Sequence, residues 1–286
     1  MTNSKNKYGF FTILQLLSID VIIGTLAIGF MATKLLRVTA NTYWWIVLPL
    51  TVWVVYSLDH VIDSFKNKNA AVIARHRYHY THKREFILAI ITISIISLAL
   101  SLLFLDKEII KYGVLLSSIT GIYLALIYLL KKRRFFLFQK EILIAAVYTI
   151  GIFLAPLIWY RNIPPYPVIL VIINIFLLAW IEGVMISWFE YEDDLSDGHT
   201  SFATMFGRKN TRLFLIATQV ILAVITKLSI LYITTTLEFT ALIITIVMDI
   251  ILFVVIMNSD KLFIQKYYRT IGELVFILPI LIILVP

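Results

Sequence analysis

The stretch that decides the fold runs from Trp188 to Ser201 and reads WFEYEDDLSDGHTS. It follows a long apolar run and contains five acidic residues within eight positions. If the preceding helix continues through it, Glu190 and Asp194 lie about one turn apart on one face, where like charges repel by about 0.2–0.5 kcal/mol. We therefore expect a positive group or ion beside this pair.

A second acidic pair closes an earlier apolar run. Asp59 and Asp63 lie four residues apart in the segment YSLDHVIDSF. An ionised carboxylate at membrane depth costs free energy, and such residues are usually retained for a function, so both pairs are functional candidates. Two acidic pairs at the ends of two apolar runs predict one shared cation site.

The composition indicates a membrane protein. The 286 residues are 60% hydrophobic and only 15% charged, which excludes an ordinary soluble domain. We expect one all-α transmembrane domain over residues 1–286, whose first apolar run is a retained helix because it lacks a cleavage site. The absence of cysteine excludes disulfides, iron–sulfur clusters and thiolate zinc sites.

The apolar runs are long enough for nine spanning helices, each of about 20 residues. They cover residues 11–33, 43–64, 86–105, 110–130, 141–160, 166–189, 212–233, 238–257 and 271–286.

The basic residues divide unevenly between the two sides of these spans. Of the 25 Lys and Arg residues, 19 lie at the N-terminus and after spans two, four, six and eight, and 6 lie on the other side. The positive-inside rule then predicts a cytoplasmic N-terminus, an external C-terminus, and both acidic pairs facing the cytoplasm. This topology explains the net charge of +8 without a nucleic-acid partner.

The carboxylates permit a magnesium site for a diphosphate. Magnesium commonly binds through one or two carboxylates together with substrate phosphates. The candidate metal ligands and catalytic residues are Asp59, Asp63, Glu190 and Asp194.

Basic side chains next to the acidic pairs are candidates for binding the diphosphate, because Arg and Lys both bind phosphate oxygens. We select Arg75, Arg77 and Lys140 among them. Inside the membrane, Glu182 lies about two turns before Glu190, and it could enter a central cavity as an acceptor or base. Asp20 could do the same from the first span, although helix-packing hydrogen bonds explain both residues equally well.

Three histidines between spans two and three are a weaker metal candidate. His76, His79 and His82 have a spacing that a transition metal could use. Membrane diiron enzymes need more histidine ligands than this chain has, so we prefer a solvated interfacial segment.

These motifs resemble those of the UbiA-type superfamily of intramembrane prenyltransferases, over essentially the whole chain. The second motif of that family reads Asp-x-x-x-Asp-x-x-x-Gly-x-x-Ser/Thr, and Glu190, Asp194, Gly198 and Ser201 have this spacing. The specific part of the match is this second motif.

The first family motif reads Asn-Asp-x-x-Asp-x-x-x-Asp, followed by arginines. The corresponding residues here are Asp59, His60, Asp63 and Asn67. His60 replaces a metal-binding Asp, and Asp59 compensates because one helical turn brings it next to Asp63.

The resemblance implies nine helices around a central cavity in a cell inner (plasma) membrane. It implies Mg²⁺-dependent transfer of a prenyl group from a polyprenyl diphosphate to a hydrophobic, aromatic acceptor, as in isoprenoid biosynthesis, and adds Ser201 to the diphosphate-binding residues. Membrane lipids are further partners. The alternatives are a terpene cyclase of the same fold and a non-catalytic lipid-binding or transport protein with a degenerate first motif.

Overall fold

The computed structural model describes residues 10–67, 74–129 and 140–285, with side chains described within 13–65, 77–126 and 140–285. In these residues all regular structure is helical. The helices are, in chain order, α1 (Phe10–Leu16), α2 (Ile19–Leu36), α3 (Trp44–Asn67), α4 (Ala74–Thr81), α5 (Lys83–Phe104), α6 (Lys107–Leu129), α7 (Lys140–Tyr160), α8 (Tyr166–Phe189), α9 (Tyr191–Asp197), α10 (Phe202–Phe206), α11 (Arg208–Ile230), α12 (Thr236–Met257), α13 (Leu262–Val275) and a 3-10 helix (Leu278–Leu284).

Nine helical segments in the described ranges are long and apolar enough to cross a membrane. They are α2, α3, α5, α6, α7, α8, α11, α12, and α13 together with the 3-10 helix. The predicted all-α class and the predicted number of spans are therefore confirmed.

The first span begins later than predicted. The prediction began it at residue 11, whereas α2 begins at Ile19 after a break. At the break Ser18 has a φ of 54°, a left-handed conformation that costs an L-residue about 1–2 kcal/mol. The short helix α1 is therefore separate from the span.

The ninth span begins earlier than predicted. The prediction began it at residue 271, whereas α13 begins at Leu262. Lys266 and Arg269 therefore lie within a spanning segment, and their assignment to a connection was wrong. The signal that misled the prediction was their charge, which normally marks the end of a span.

Helix α8 lies at the centre of the bundle. It packs against α7, α11, α12 and α13. Its residues Ile175, Leu178 and Ile181 are completely buried. By contrast, α5 lies at the periphery, where Leu88 and Leu103 are 67% and 72% exposed, which suits contact with lipid tails.

Both acidic motifs lie at one end of the bundle, which we call the motif end. Asp59 and Asp63 lie near the end of α3, and Glu190 directly follows α8. Beyond α8 the chain forms the short helices α9 and α10. Each ends at a glycine with positive φ, 65° at Gly198 and 79° at Gly207, a backbone that glycine adopts at little steric cost.

Candidate active site

The first acidic pair encloses a lysine. Asp59 and Asp63 are each 8% exposed. Lys140, the first residue of α7, places its Nζ 2.8 Å from Asp59 Oδ1 and also donates a hydrogen bond to Asp63 Oδ2. One ammonium group therefore bridges two carboxylates that repel each other on the same helix face.

His60 packs against the neighbouring loop helix. Its Nδ1 lies 3.9 Å from Asp59 Oδ2, and its ring meets that of His79 edge to face at 5.2 Å. His79 is completely buried, so our preferred interpretation of a solvated segment is wrong for this histidine, whereas His82 is exposed as that interpretation predicts. The side chain of His76 lies outside the described side chains. No group of three His, Asp or Glu side chains poised for a metal ion occurs in the described part of the chain.

The second acidic pair is split by a change of helix. At Glu190 the backbone leaves ideal helical geometry, with φ −88° and ψ 12°, and α9 then begins. The Asp194 N–H still donates to the Glu190 carbonyl at 2.8 Å, so the two residues remain one turn apart. Their side chains nevertheless have different partners.

Glu190 pairs with helix α13. Its Oε1 accepts hydrogen bonds from Arg269 Nη2 at 2.5 Å and from Tyr268 Oη at 2.8 Å. Arg269 Nη1 also lies 3.8 Å from Glu273, which in turn accepts from Gln15 at 2.7 Å. Arg269 is thus a positive group of the kind expected beside this motif.

Sequence reasoning missed Arg269 because it counted this residue among the connection charges. A usable signal was present in the spacing of Arg269, Gly272 and Glu273, since residues three and four apart share one helix face. A polar stripe on an otherwise apolar segment indicates a helix that faces the interior of a bundle.

Asp194 is buried without a basic partner among the described side chains, and its exposure is 7%. Burial raises its pKa to about 7; a hydrogen bond with Ser201 opposes this, while the charges of Glu190, Glu141 and Asp63 add to it. Because Asp63 belongs to the first motif, its influence shows that the two motifs are electrostatically coupled at the motif end.

The first turn of α7 connects the two motifs. Lys140 contacts the first motif, whereas the next residue, Glu141, accepts a hydrogen bond from the Phe202 N–H at 2.7 Å. That N–H belongs to the first turn of α10, directly after the second motif. Glu141 also packs against α8, since its Cβ lies 3.6 Å from the position that a Cβ on Gly183 would occupy.

The remaining residues predicted to bind diphosphate are distributed unevenly. Ser201 caps α10 and bonds to Asp194, so it lies directly beside the second motif. Arg77 is exposed on α4. The side chain of Arg75, like Asn67 of the first motif, lies outside the described side chains.

The two deeper candidates lie near a buried tyrosine. The charges of Glu182 and Asp20 both act on Tyr148, which is 7% exposed and hydrogen-bonded to Thr25. Glu182 packs against Gly272, where a Cβ would meet its Cγ at 3.3 Å.

Asp20 accepts a hydrogen bond from the Val21 N–H at 2.9 Å through Oδ1. Its Oδ2 is buried and has no hydrogen-bond partner among the residues that the structure describes. A polar group is therefore available in the bundle interior next to Tyr148.

Comparison with known proteins identifies the fold through structure and not through sequence. No protein-family model and no curated protein matches the sequence. The apo structure of a UbiA homologue from Aeropyrum pernix K1 matches with a TM-score of 0.65 at 16% identity, covering 93% of this chain and 98% of the other.

A UbiA homologue from Archaeoglobus fulgidus also matches in two complexes. Bound to GPP and Mg²⁺, it gives a TM-score of 0.65 at 14% identity, over 95% of this chain and 99% of that one. Bound to DMAPP and Mg²⁺, it gives a TM-score of 0.61 at 15% identity, covering 96% of this chain and 99% of that one.

Helices and site together define an all-α integral membrane protein with two acidic motifs at one end of its bundle. Its fold is that of the UbiA homologues. The resemblance that the motif spacing predicted is confirmed at the level of the fold.

Proposed function

We propose that this protein is a magnesium-dependent membrane prenyltransferase, which moves a prenyl group from a polyprenyl diphosphate to a hydrophobic, aromatic acceptor. The observation that carries the proposal is the meeting of two acidic motifs, with Lys140, at one end of a bundle with this fold. The Archaeoglobus homologue of the same fold binds GPP and DMAPP together with Mg²⁺, which supports a diphosphate ligand.

The donor set of the site fits magnesium, a hard cation that prefers oxygen ligands. Asp194 is the carboxylate best suited to it, because this group is buried, lies among other carboxylates, and bonds only to a neutral hydroxyl among its described side-chain partners. Glu190, Asp59 and Asp63 are the further candidate ligands. When bound, Mg²⁺ would neutralise charge on the leaving diphosphate.

The residues of the chain supply the rest of the reaction. Lys140 donates to diphosphate oxygens, as Ser201, Arg75 and Arg77 do in our proposal. The allylic C–O bond breaks with both electrons leaving on the diphosphate, and a π pair of the acceptor forms the new bond to carbon. The displaced ring proton passes to a carboxylate, for which Glu182 is our candidate and Asp20 the second choice.

The apolar bundle protects the allylic cation. Rings of Tyr56, Tyr148 and Phe276 lie in edge-to-face pairs with centroids 6.5 and 6.1 Å apart. Aromatic faces stabilise a cation that lies over them. The packed residues of α2 and α8 exclude water, which would otherwise trap the cation.

We further propose that the motif end faces the cytoplasm in a plasma membrane, with an external C-terminus, and that residues 1–286 act as one domain. The distribution of Lys and Arg supports this orientation. Soluble diphosphates would then reach the site from the cytoplasm, and the acceptor would enter from the lipid.

Diphosphate release by the purified protein in nanodiscs tests the function. Geranyl, farnesyl and geranylgeranyl diphosphates are offered with Mg²⁺ or EDTA, with and without membrane extract as an acceptor source. We expect Mg²⁺-dependent release that requires extract and that Asp194→Asn lowers by at least about 100-fold, as loss of a principal charge-stabilising group does. Glu192→Gln, an exposed carboxylate on the same short helix, is the matched control.

Other outcomes identify the alternatives. Release without extract, accompanied by a cyclic hydrocarbon product, would indicate a terpene cyclase. No release from any donor would contradict the proposal and favour a lipid-binding or transport protein.

A further inference from the structure

The cation of the first acidic motif is part of the protein chain. The side chains of Asp59, Asp63 and Lys140 are only 12%, 11% and 21% exposed. The Nζ of Lys140 contacts a carboxylate oxygen of each aspartate. The ammonium therefore lies at the position that a bridging metal ion would need.

Simultaneous binding of Lys140 and Mg²⁺ at this point is unfavourable. Magnesium needs ligand oxygens at about 2.1 Å in near-octahedral geometry. The oxygens that face Lys140 are at hydrogen-bond distance from an ammonium, and a divalent cation among them would repel that ammonium at close range. A second ion at the first motif requires Lys140 to leave both aspartates.

The second motif has a different charge pattern. Arg269 binds Glu190, so this carboxylate already has a basic partner. In the described part of the chain, Asp194 has no basic side chain within ion-pair distance. Among the described side chains, Lys140 thus pairs with Asp59 and Asp63, and Arg269 pairs with Glu190, whereas Asp194 pairs with no cation.

We propose that Lys140 permanently replaces a metal ion at the first motif, so that the protein binds a single divalent ion, at Asp194. An ammonium has three donors, and two of those of Lys140 point to Asp59 and Asp63. The third is available to the diphosphate. This inference rests on the proposed function and specifies how that site is charged.

Counting bound manganese tests the inference. Mn²⁺ replaces Mg²⁺ as an EPR-visible probe and is titrated into the 286-residue chain in detergent with inorganic pyrophosphate present. We expect one Mn²⁺ per wild-type chain. We expect two in Lys140→Met, with spectral broadening from their mutual proximity, because the variant removes the ammonium that contacts Asp59 and Asp63.

Two further variants locate the ions. Adding Asp63→Asn to Lys140→Met should return the count to one. Lys83→Met is the matched control, because Lys83 is the first residue of α5 and its Nζ lies 4.2 Å from the centroid of the Tyr80 ring. It should bind one ion, as the wild type does.

The results separate failure of the inference from failure of the function. Two ions in the wild-type chain would overturn the inference and leave the prenyltransferase proposal intact, and this result needs no variant to fold. An unchanged count in folded Lys140→Met would also overturn it. No bound Mn²⁺ in any variant would overturn the inference and the magnesium site together.

Metal-dependent stability gives a second readout. Without Lys140 the two aspartates repel each other in a buried site, so metal-free Lys140→Met should melt below the wild type. Mn²⁺ should raise its melting temperature more than that of the wild type. An equal rise in both proteins would contradict a freed metal site.

Discussion

Asp194 makes the stability of the metal-free protein depend on pH. Its pKa is raised from 3.8 to about 7, chiefly by burial. The unfolded chain ionises this group from about pH 4 upward, whereas the folded chain keeps the proton until about pH 7. The folded state therefore loses stability as pH rises through this window.

Replacing Asp194 by a residue that cannot ionise should remove this loss. We expect metal-free Asp194→Asn to be more stable than the wild type at pH 8, by up to about 4 kcal/mol at about 1.4 kcal/mol per pKa unit. The difference should vanish near pH 4. Thermal unfolding across this pH range measures the difference in stability, with Glu192→Gln as control. A difference that does not depend on pH would contradict the raised pKa of Asp194.

The pairing of Glu190 with Arg269 is a second residue-scale test. Arg269→Met leaves the Glu190 carboxylate without this cation inside the bundle, and breaking a buried pair costs about 3–5 kcal/mol. The double variant Glu190→Gln/Arg269→Met should recover most of that loss. Lys266→Met, an exposed position on the same helix, should change the unfolding temperature little. Additive losses in the double variant would show that the two groups are not coupled.

At the scale of helices, α2 packs unusually close to the end of α13. A Cβ on Gly24 would lie 2.9 Å from Phe276 Cβ, closer than real contacts allow. Gly24→Ala should therefore push these segments apart and destabilise the protein by about 1–3 kcal/mol.

Gly121 provides the matched control for this substitution. It lies in α6, and a Cβ there would have no neighbour within 4 Å. Gly121→Ala should leave the unfolding temperature unchanged or raise it slightly, because alanine favours a helix. Equal effects of the two substitutions would contradict the described packing of α2.

Helix α13 also shows where sequence reasoning succeeds and fails. Uniform apolar runs such as α8 are predictable because about 20 consecutive, predominantly apolar residues are enough to indicate a membrane-spanning helix. Lys266 and Arg269 hid the start of α13, because charges normally mark the end of a span. A buried charge such as that of Arg269 is tolerated within a span when a partner elsewhere in the chain compensates it. Arg269 is paired with Glu190 at the end of α8. This pairing is a tertiary contact, so the local sequence around Arg269 does not reveal it.

The same reasoning applies to the candidate site. The positions of Asp59 and Asp63 on one face follow from their spacing alone. That Lys140 reaches between them does not follow, because it depends on how α7 docks against α3. Sequence spacing thus locates the carboxylates, whereas the distribution of cations among them depends on helix packing.

At the scale of the whole molecule, the orientation in the membrane is testable because the chain has no cysteine. A single introduced cysteine is then a unique label. We expect Asn162→Cys, in the exposed α7–α8 connection, to react with an impermeant maleimide in intact cells.

A position at the opposite end completes this test. Asp260→Cys, in the exposed α12–α13 connection at the motif end, should react only after the membrane is opened. The reverse pattern would show that the motif end faces outward and would contradict the topology expected from the basic residues.

The first turn of α7 has a mechanical consequence. Lys140 and Glu141 are adjacent in the chain, yet one binds α3 and the other binds the start of α10. A helical turn is stiff, so a small rotation of α7 displaces both of these attachments together. A ligand that displaces the ammonium of Lys140 would therefore also displace the start of α10, which follows the second motif. The first turn of α7 would in this way couple movements at the two acidic motifs.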